Sequence, residues 1–318
     1  MDIEYLLGLQ SFREGVGGGL TEFLSKMTWF GEMNVVLIFI ALIYWCVHKE
    51  TGTYLLMGWS GNRVVNGVIK VAGCVYRPWI RDARIAPEAN ALATATGYSF
   101  PSGHSMNGAS LFGGMAIRKG IKTGFRIVLW IMVGLVAFSR NFLGVHTPQD
   151  ILVGTIVGVL VMFLTGKLLS WISAHPEKDL PVAIIGIAIA VAAAIFAALK
   201  PYPADYDAAG NLLVDGMKMA NDTFKAVGWL SAFMIGWILE RRFVRFSVEG
   251  SLQNRFFRLT CGLLGHYVIS LIINPLIKAA AAGFAGTVIT CFIQMFYITF
   301  LFPLAVVLVQ KRRKTVEG

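Results

Sequence analysis

Charge is scarce in this sequence. Only 14% of its 318 residues are Asp, Glu, Lys or Arg, whereas soluble domains carry roughly a quarter, and that shortage excludes an ordinary soluble domain. Cysteine is scarce too. Cys46, Cys74, Cys261 and Cys291 stand far apart, each in an apolar stretch, which excludes a secreted disulfide framework and reads as small core residues. The first thirty residues have neither a basic leader nor a long apolar run before a small-residue site, and begin instead with Asp2 and Glu4; a cleavable signal is not expected. No fixed-period repeat occurs, and the alanine-rich stretch 187–198 is the only low-complexity segment, so solenoids are left out. What is present is apolar: 56% hydrophobic residues, 34 glycines and 22 phenylalanines, with a mean hydropathy of +0.66. Disorder is ruled out by the same figures. The formal charge of +10 is of the kind that basic cytoplasmic loops give a membrane protein, and no nucleic-acid partner is expected. The expected fold class is all-α, a polytopic membrane helical bundle.

Residues 1–32 read as an interfacial segment of two short amphipathic helices. Leu6, Leu9 and Val16 lie on one, Leu20, Phe23, Leu24 and Met27 on the other, and Gly15 with Gly17 to Gly19 lies between. Nine stretches of bilayer length follow, near 33–48, 52–76, 103–118, 124–143, 148–173, 181–199, 223–240, 257–278 and 284–310. The second is interrupted by Arg63, Asn66 and Lys70, and a polar loop spans 200–222. Lys49, Arg118, Lys119, Lys122, Arg126, Lys178, the arginines from 241 to 258 and the tail Lys311-Arg312-Arg313-Lys314 gather on one side. The positive-inside rule makes that side cytoplasmic and turns the N-terminus, the loop 77–102 and the loop 200–222 outward.

Polar groups at membrane depth are costly and mark function by default. Three clusters stand at the expected outer ends of helices. Lys70 and Arg77-Pro78 close the second stretch, and the sevenfold spacing of Arg63, Lys70 and Arg77 predicts one shared helical face. Pro101-Ser102-Gly103-His104 turns into the third. Ser139-Arg140 closes the fourth, followed by His146 and by Asp150 near Pro148, which opens the fifth. Lys70, Arg77 and Arg140 match the charge of a phosphate, with arginine reaching two oxygens at once. Ser102 and Gly103 at a helix N-terminus offer amide donors to an anion. Asp150 is placed to hold one nitrogen of His146 and leave the other free to attack, while His104 can protonate the leaving oxygen. No cofactor or metal is required by this set.

In order and spacing, Lys70-x6-Arg77-Pro78, Pro101-Ser102-Gly103-His104 and Ser139-Arg140-x5-His146-x3-Asp150 resemble the three-part signature of the type 2 phosphatidic acid phosphatase superfamily. The signature spans residues 70 to 150. The resemblance implies a six-helix phosphatase core over 33–199, with 223–318 as additional C-terminal helices and a basic tail. It also implies a phosphohistidine on His146, Asp150 as its support, His104 as acid, and Lys70, Arg77, Ser102, Gly103, His104 and Arg140 around the phosphate.

Other polar residues carry plainer readings. His48, His175 and His266 stand outside the signature and read as structural or solvated. Arg63 reads as paired within the bundle. Tyr98, Ser99 and Phe100 are either a substrate wall or an anchor for the turn, and Asp82 and Glu88 read as solvated loop carboxylates. The function expected is an integral-membrane, metal-independent lipid phosphatase in the plasma (inner) membrane, its site on the extracytoplasmic face. Phosphatidic acid, phosphatidylglycerol phosphate, sphingoid-base phosphate and polyprenyl diphosphate are all compatible substrates. A sugar-phosphate phosphatase resembling glucose-6-phosphatase is the alternative within the enzymes, and a lipid-phosphate flippase the alternative outside them. The intact His104, His146 and Asp150 argue against a pure carrier, which needs the cations but not an oriented nucleophile. Oligomeric state is left open.

Overall fold

Helix ends in this chain are set by prolines, glycines and a few capping side chains. The computed structural model describes residues 1–317, with side chains to Arg312; the side chains of Arg313 and Lys314 in the expected basic tail lie outside the described residues. Helices α1 (Asp2–Gly15) and α2 (Gly18–Trp29) are separated at Gly17, whose φ of 77° is a left-handed conformation open to glycine. A bend of 57° joins α2 to α3 (Met33–Leu42), which continues through a π-turn at Ile43–Val47. Then come α4 (Lys49–Gly73) and the short α5 (Pro78–Arg81) and α6 (Ala89–Leu92). Helix α7 (Gly103–Gly108) passes through a π-turn at Ala109–Gly113 into α8 (Gly114–Ala116). Helices α9 (Thr123–Phe142), α10 (Pro148–Ala174) and α11 (Asp179–Leu199) follow, then α12 (Gly216–Leu239) and α13 (Leu252–Val268). The chain ends with α14 (Asn274–Ala280), α15 (Gly283–Phe296) and α16 (Phe302–Glu317).

This is an all-α membrane bundle. Among the described residues, five stretches are long and apolar enough to cross a bilayer: Thr123–Phe142, Pro148–Ala174, Pro176–Leu199, Leu252–Ala280 and Gly283–Arg312. The bent pair α2–α3 makes a sixth if taken as one broken span. The other expected stretches are helical as well, but α4 carries Arg63 and Lys70, and α12 carries Lys218, Asp222 and Lys225.

Two expectations are corrected here. The polar loop does not extend to 222, because α12 begins at Gly216, where the Asp215 carboxylate accepts from Met217 N (2.9 Å) and Lys218 N (3.2 Å) as an N-cap. Arg77 does not share a helical face with Arg63 and Lys70. Helix α4 stops at Gly73, Cys74 takes a left-handed φ of 47°, and Pro78 holds Arg77 extended (φ −64°, ψ 154°) as the N-cap of α5.

The chain forms two compact units. One comprises Met1–Val36, Val65–Leu164 and Ile195–Thr223; the other comprises Leu37–Val64, Thr165–Ala194 and Phe224–Gly318. The second is tied by buried charge as well as apolar packing. Glu240, 1% exposed, pairs with Lys49 at 2.6 Å, Arg258 Nη1 donates to Trp45 O, and Trp45 Nε1 donates to Ile298 O. Lys49 and Arg258, expected as cytoplasmic loop cations, are therefore internal ties. In the first unit, α10 seats the turn that begins α7. A Cβ at Gly154 would lie 2.8 Å from Ser102 O, and one at Gly158 would lie 2.7 Å from Ala109 Cβ, so this small-xxx-small pair lets the two backbones touch. Leu152, Ile156, Leu160 and Phe163 form an exposed apolar stripe along α10, suited to lipid.

Candidate active site

Every residue of the three sequence clusters falls in the first unit. His146 lies in the short connection between α9 and α10, which is folded back on the end of α9. Its backbone N donates to Arg140 O (3.2 Å), and its carbonyl accepts from Asn141 Nδ2 (2.7 Å). The ring is 2% exposed. Nδ1 lies 3.3 Å from Asp150 Oδ2, while Arg77 Nη1 reaches Nε2 at 2.8 Å. Arginine is donor only, so Nε2 is the unprotonated nitrogen and Nδ1 carries the proton toward Asp150. Burial, then the charge of Arg77, pushes the His146 pKa well below its ordinary value, against the pull of Asp150. The resting ring is neutral.

Asp150 sits in the first turn of α10. Its Oδ2 accepts from Thr147 N (2.8 Å) and Ser99 Oγ (2.5 Å) besides His146. Three donors on one oxygen fix the carboxylate and, through it, the ring. Ser99 is thereby an anchor of the site, which settles between the two readings left open for it.

Arg77 is held on all sides. Nε donates to Gly97 O (3.0 Å), Nη2 to Thr96 O (3.2 Å), and Nη1 also to Val145 O (2.9 Å). Burial lowers its pKa to about 10, with Asp150 opposing, so it stays charged at neutral pH. Lys70 is placed differently from expectation: Nζ donates to the carbonyls of Tyr98 (2.9 Å), Ser99 (3.3 Å) and Pro101 (3.1 Å). It braces the 98–101 segment, as does Asn66 Nδ2 at Pro101 O. Ser102 caps α7, accepting at Oγ from Ser105 N and donating its own N–H to Asp150 O (2.9 Å). The amide of Ser102 is thus engaged within the fold, and the donors expected of this turn begin at Gly103.

Arg140 is fully buried, at 0% exposure. Nη1 donates to Thr28 Oγ1 (2.8 Å), while Nε and Nη2 have no hydrogen-bond partner among the described residues. His104 follows Gly103 in the first turn of α7, and the turn after α2 runs close beside it: a Cβ at Gly31 would lie 2.9 Å from His104 Cβ. Arg13, 7% exposed, ties α1 to the site loops through Phe142 O (2.8 Å), Ala86 O (2.6 Å) and Glu88 (3.0 Å). Glu88 is therefore paired with Arg13 rather than merely solvated; Asp82 pairs with Arg84 on the surface. A cavity of about 1100 Å³ lies between α1, α2 and the 86–93 segment, with Thr28 in its wall. Of the residues outside the signature, His48 accepts from Thr51 N at the start of α4 (3.2 Å), and His175 stacks on Trp171. Arg63 belongs to the other unit.

Sequence reasoning missed Thr28, Gly31 and Arg13. They reach the site from more than 70 positions away, and their helices read as amphipathic.

Residues 51–173 match the PAP2 superfamily, and residues 224–314 match the PAP2 superfamily phosphatase transmembrane extension. The chain is similar to phosphatidylglycerophosphatase B of Bacillus subtilis (strain 168), with 30% identity over 158 residues, 46% of this chain and 73% of the relative. It is also similar to lipid phosphate phosphatase delta of Arabidopsis thaliana, with 23% identity over 188 residues, 56% of this chain and 43% of that protein. No solved structure matches.

Proposed function

This chain belongs to the PAP2 superfamily, and on that premise we propose that it removes the terminal phosphate of membrane lipid phosphates through a phosphohistidine at His146. It is an integral, multi-pass membrane phosphatase; residues 33–199 would form its catalytic core. The observation that carries the reading is Arg140. A buried charge left unpaired costs on the order of several kcal/mol, and among the described residues Arg140 Nε and Nη2 have no partner beside the His146 loop. A phosphate that takes both donors relieves that cost.

The chemistry follows from the ring's surroundings. In the free enzyme, Arg77 Nη1 occupies the lone pair of His146 Nε2. A phosphate oxygen that accepts this hydrogen bond instead leaves Nε2 facing phosphorus. The Nε2–P bond forms as the P–O bond to the lipid breaks; the electron pair leaves on that oxygen, which takes a proton from His104. His146 becomes cationic, and Asp150 at Nδ1 stabilises it, as a triad carboxylate does. Water then gives a proton to His104, its oxygen bonds phosphorus, and the N–P electron pair returns to Nε2, releasing inorganic phosphate. Arg77, Arg140 and the amide donors from Gly103 onward hold the equatorial oxygens.

Phosphatidylglycerol phosphate is the first substrate to test, since the bacterial relative is named for it; phosphatidic acid, sphingoid-base phosphate and polyprenyl diphosphate complete the lipid panel. We expect phosphate release from lipid phosphates at least about tenfold more efficiently than from glucose 6-phosphate. The rate should survive excess EDTA, because arginines and amides meet the phosphate charge, and it should fall with millimolar vanadate, a mimic of the five-coordinate transition state. Preference for the sugar phosphate, or loss in EDTA restored by magnesium, would overturn the reading.

The site is assigned to the extracytoplasmic face of the plasma (inner) membrane, on the asymmetry of basic loops. Single cysteines placed in 201–215 should react with an impermeant reagent added outside, and cysteines in 118–122 should not. The reverse pattern would put the chemistry in the cytoplasm.

A further inference from the structure

The segment before residue 51 lies outside the PAP2 match, yet its second helix reaches the reacting groups. Thr28, 5% exposed near the end of α2, gives the Arg140 side chain its one hydrogen-bond acceptor among the described residues, with Nη1 donating to Oγ1 at 2.8 Å. Three residues on, in the turn that follows α2, Gly31 brings the chain against the start of α7. Its carbonyl accepts from Asn107 Nδ2 (2.8 Å), and a Cβ there would meet His104 Cβ at 2.9 Å, His104 O at 3.0 Å and Val136 Cγ1 at 2.8 Å. From these contacts we infer that the end of α2 is part of the catalytic apparatus: Thr28 is a positioning residue that aims the Arg140 fork at the phosphate.

A long side chain must be ordered before it can meet an anion. Arg140 has four rotatable bonds, and among the described residues its head is held by one acceptor, Thr28 Oγ1, with Nε and Nη2 unpartnered. One acceptor on Nη1 sets the plane of the guanidinium, and Nε and Nη2 are then the edge left for two anion oxygens. An arginine that must order itself during the reaction stabilises the transition state less than one already ordered. The hydroxyl, not the methyl group, does this, so valine keeps the shape and loses the function.

The inference rests on the phosphate-site reading given above, and the test separates the two. Thr28→Val, Thr28→Ala, Thr28→Ser and Arg140→Ala are purified and compared with the parent for kcat, KM and inhibition by vanadate. Thr28→Val and Thr28→Ala should each lose roughly 10- to 100-fold in kcat/KM, the range expected for one hydrogen bond to a charged group, and vanadate should weaken by a similar factor. Thr28→Ser should stay within about threefold of the parent on both counts, as serine keeps the acceptor. A purely structural role would lower the amount of active enzyme without weakening vanadate. Parent-like vanadate inhibition in Thr28→Val and Thr28→Ala, or a loss in Thr28→Ser equal to theirs, overturns the inference. If Arg140→Ala also binds vanadate normally, the placement of Arg140 at the phosphate falls with it. If Arg140→Ala is weak while the Thr28 variants are normal, only the role of Thr28 is lost.

Discussion

His146→Ala should abolish turnover on every substrate, by about 10⁴-fold or more, since a nucleophile acts as a unit with its partners and leaves only residual catalysis when removed. The pH profile of the parent enzyme is a second reading of the same group. Burial and Arg77 lower the His146 pKa well below 6.5, so the neutral, nucleophilic ring persists as pH falls past the range where an exposed histidine is protonated. The acid limb of kcat/KM attributable to His146 should therefore lie below pH 6.5. The same shift has a sign for stability. The unfolded chain takes up this proton first, so the contribution of the buried ring is present above about pH 6.5 and declines as pH falls. An acid limb of kcat/KM at or above pH 6.5 that persists in His104→Ala on an aryl phosphate would contradict the burial argument.

His104→Ala should divide substrates by their leaving groups. A general acid typically contributes ~10²–10⁴-fold, and that factor is needed when an alkoxide must leave. On an alkyl or lipid phosphate the variant should be slowed by that amount. On an aryl phosphate, whose leaving group needs no proton, the first transfer should recover most of its rate. Asp150→Asn should be impaired on both substrates alike, because the charge supporting the imidazolium matters whatever group departs. Equal loss in the rate of the first transfer for His104→Ala on alkyl and aryl substrates would remove the acid role and leave His104 as a phosphate contact.

Composition made the fold class legible, and motif spacing made legible which residues the fold gathers at the candidate site. Asp150 and His146 sit four apart, and the fold keeps them adjacent at the start of α10, because a proline at the first helical position fixes where that helix begins. Arg77 shows the limit of periodicity: Pro78 was visible and signalled an extended residue before it, yet the sevenfold spacing suggested a continuous helix. Lys70 shows a different limit. Its charge pointed to an anion, but three backbone carbonyls of the 98–101 segment converge on it, and a turn that bends its carbonyls inward leaves no mark on residue types. Gly154 and Gly158 show their role only in the close contact of α10 with α7, and Thr28 and Gly31 carry no local sign of a place at the site. Their partners lie 112 and 76 positions away, and a long-range hydrogen bond has no local pattern.

The most direct test of the phosphohistidine is to catch it. Enzyme mixed with an aryl phosphate labelled at phosphorus is quenched in base, where a phosphoramidate survives, and the label is mapped by peptide. His104→Ala is the informative variant, since loss of the group that activates water should let the intermediate accumulate. The account predicts one label per active chain, on His146, lost in acid and absent from His146→Ala. Label on any other residue, or label that persists in His146→Ala, would contradict it.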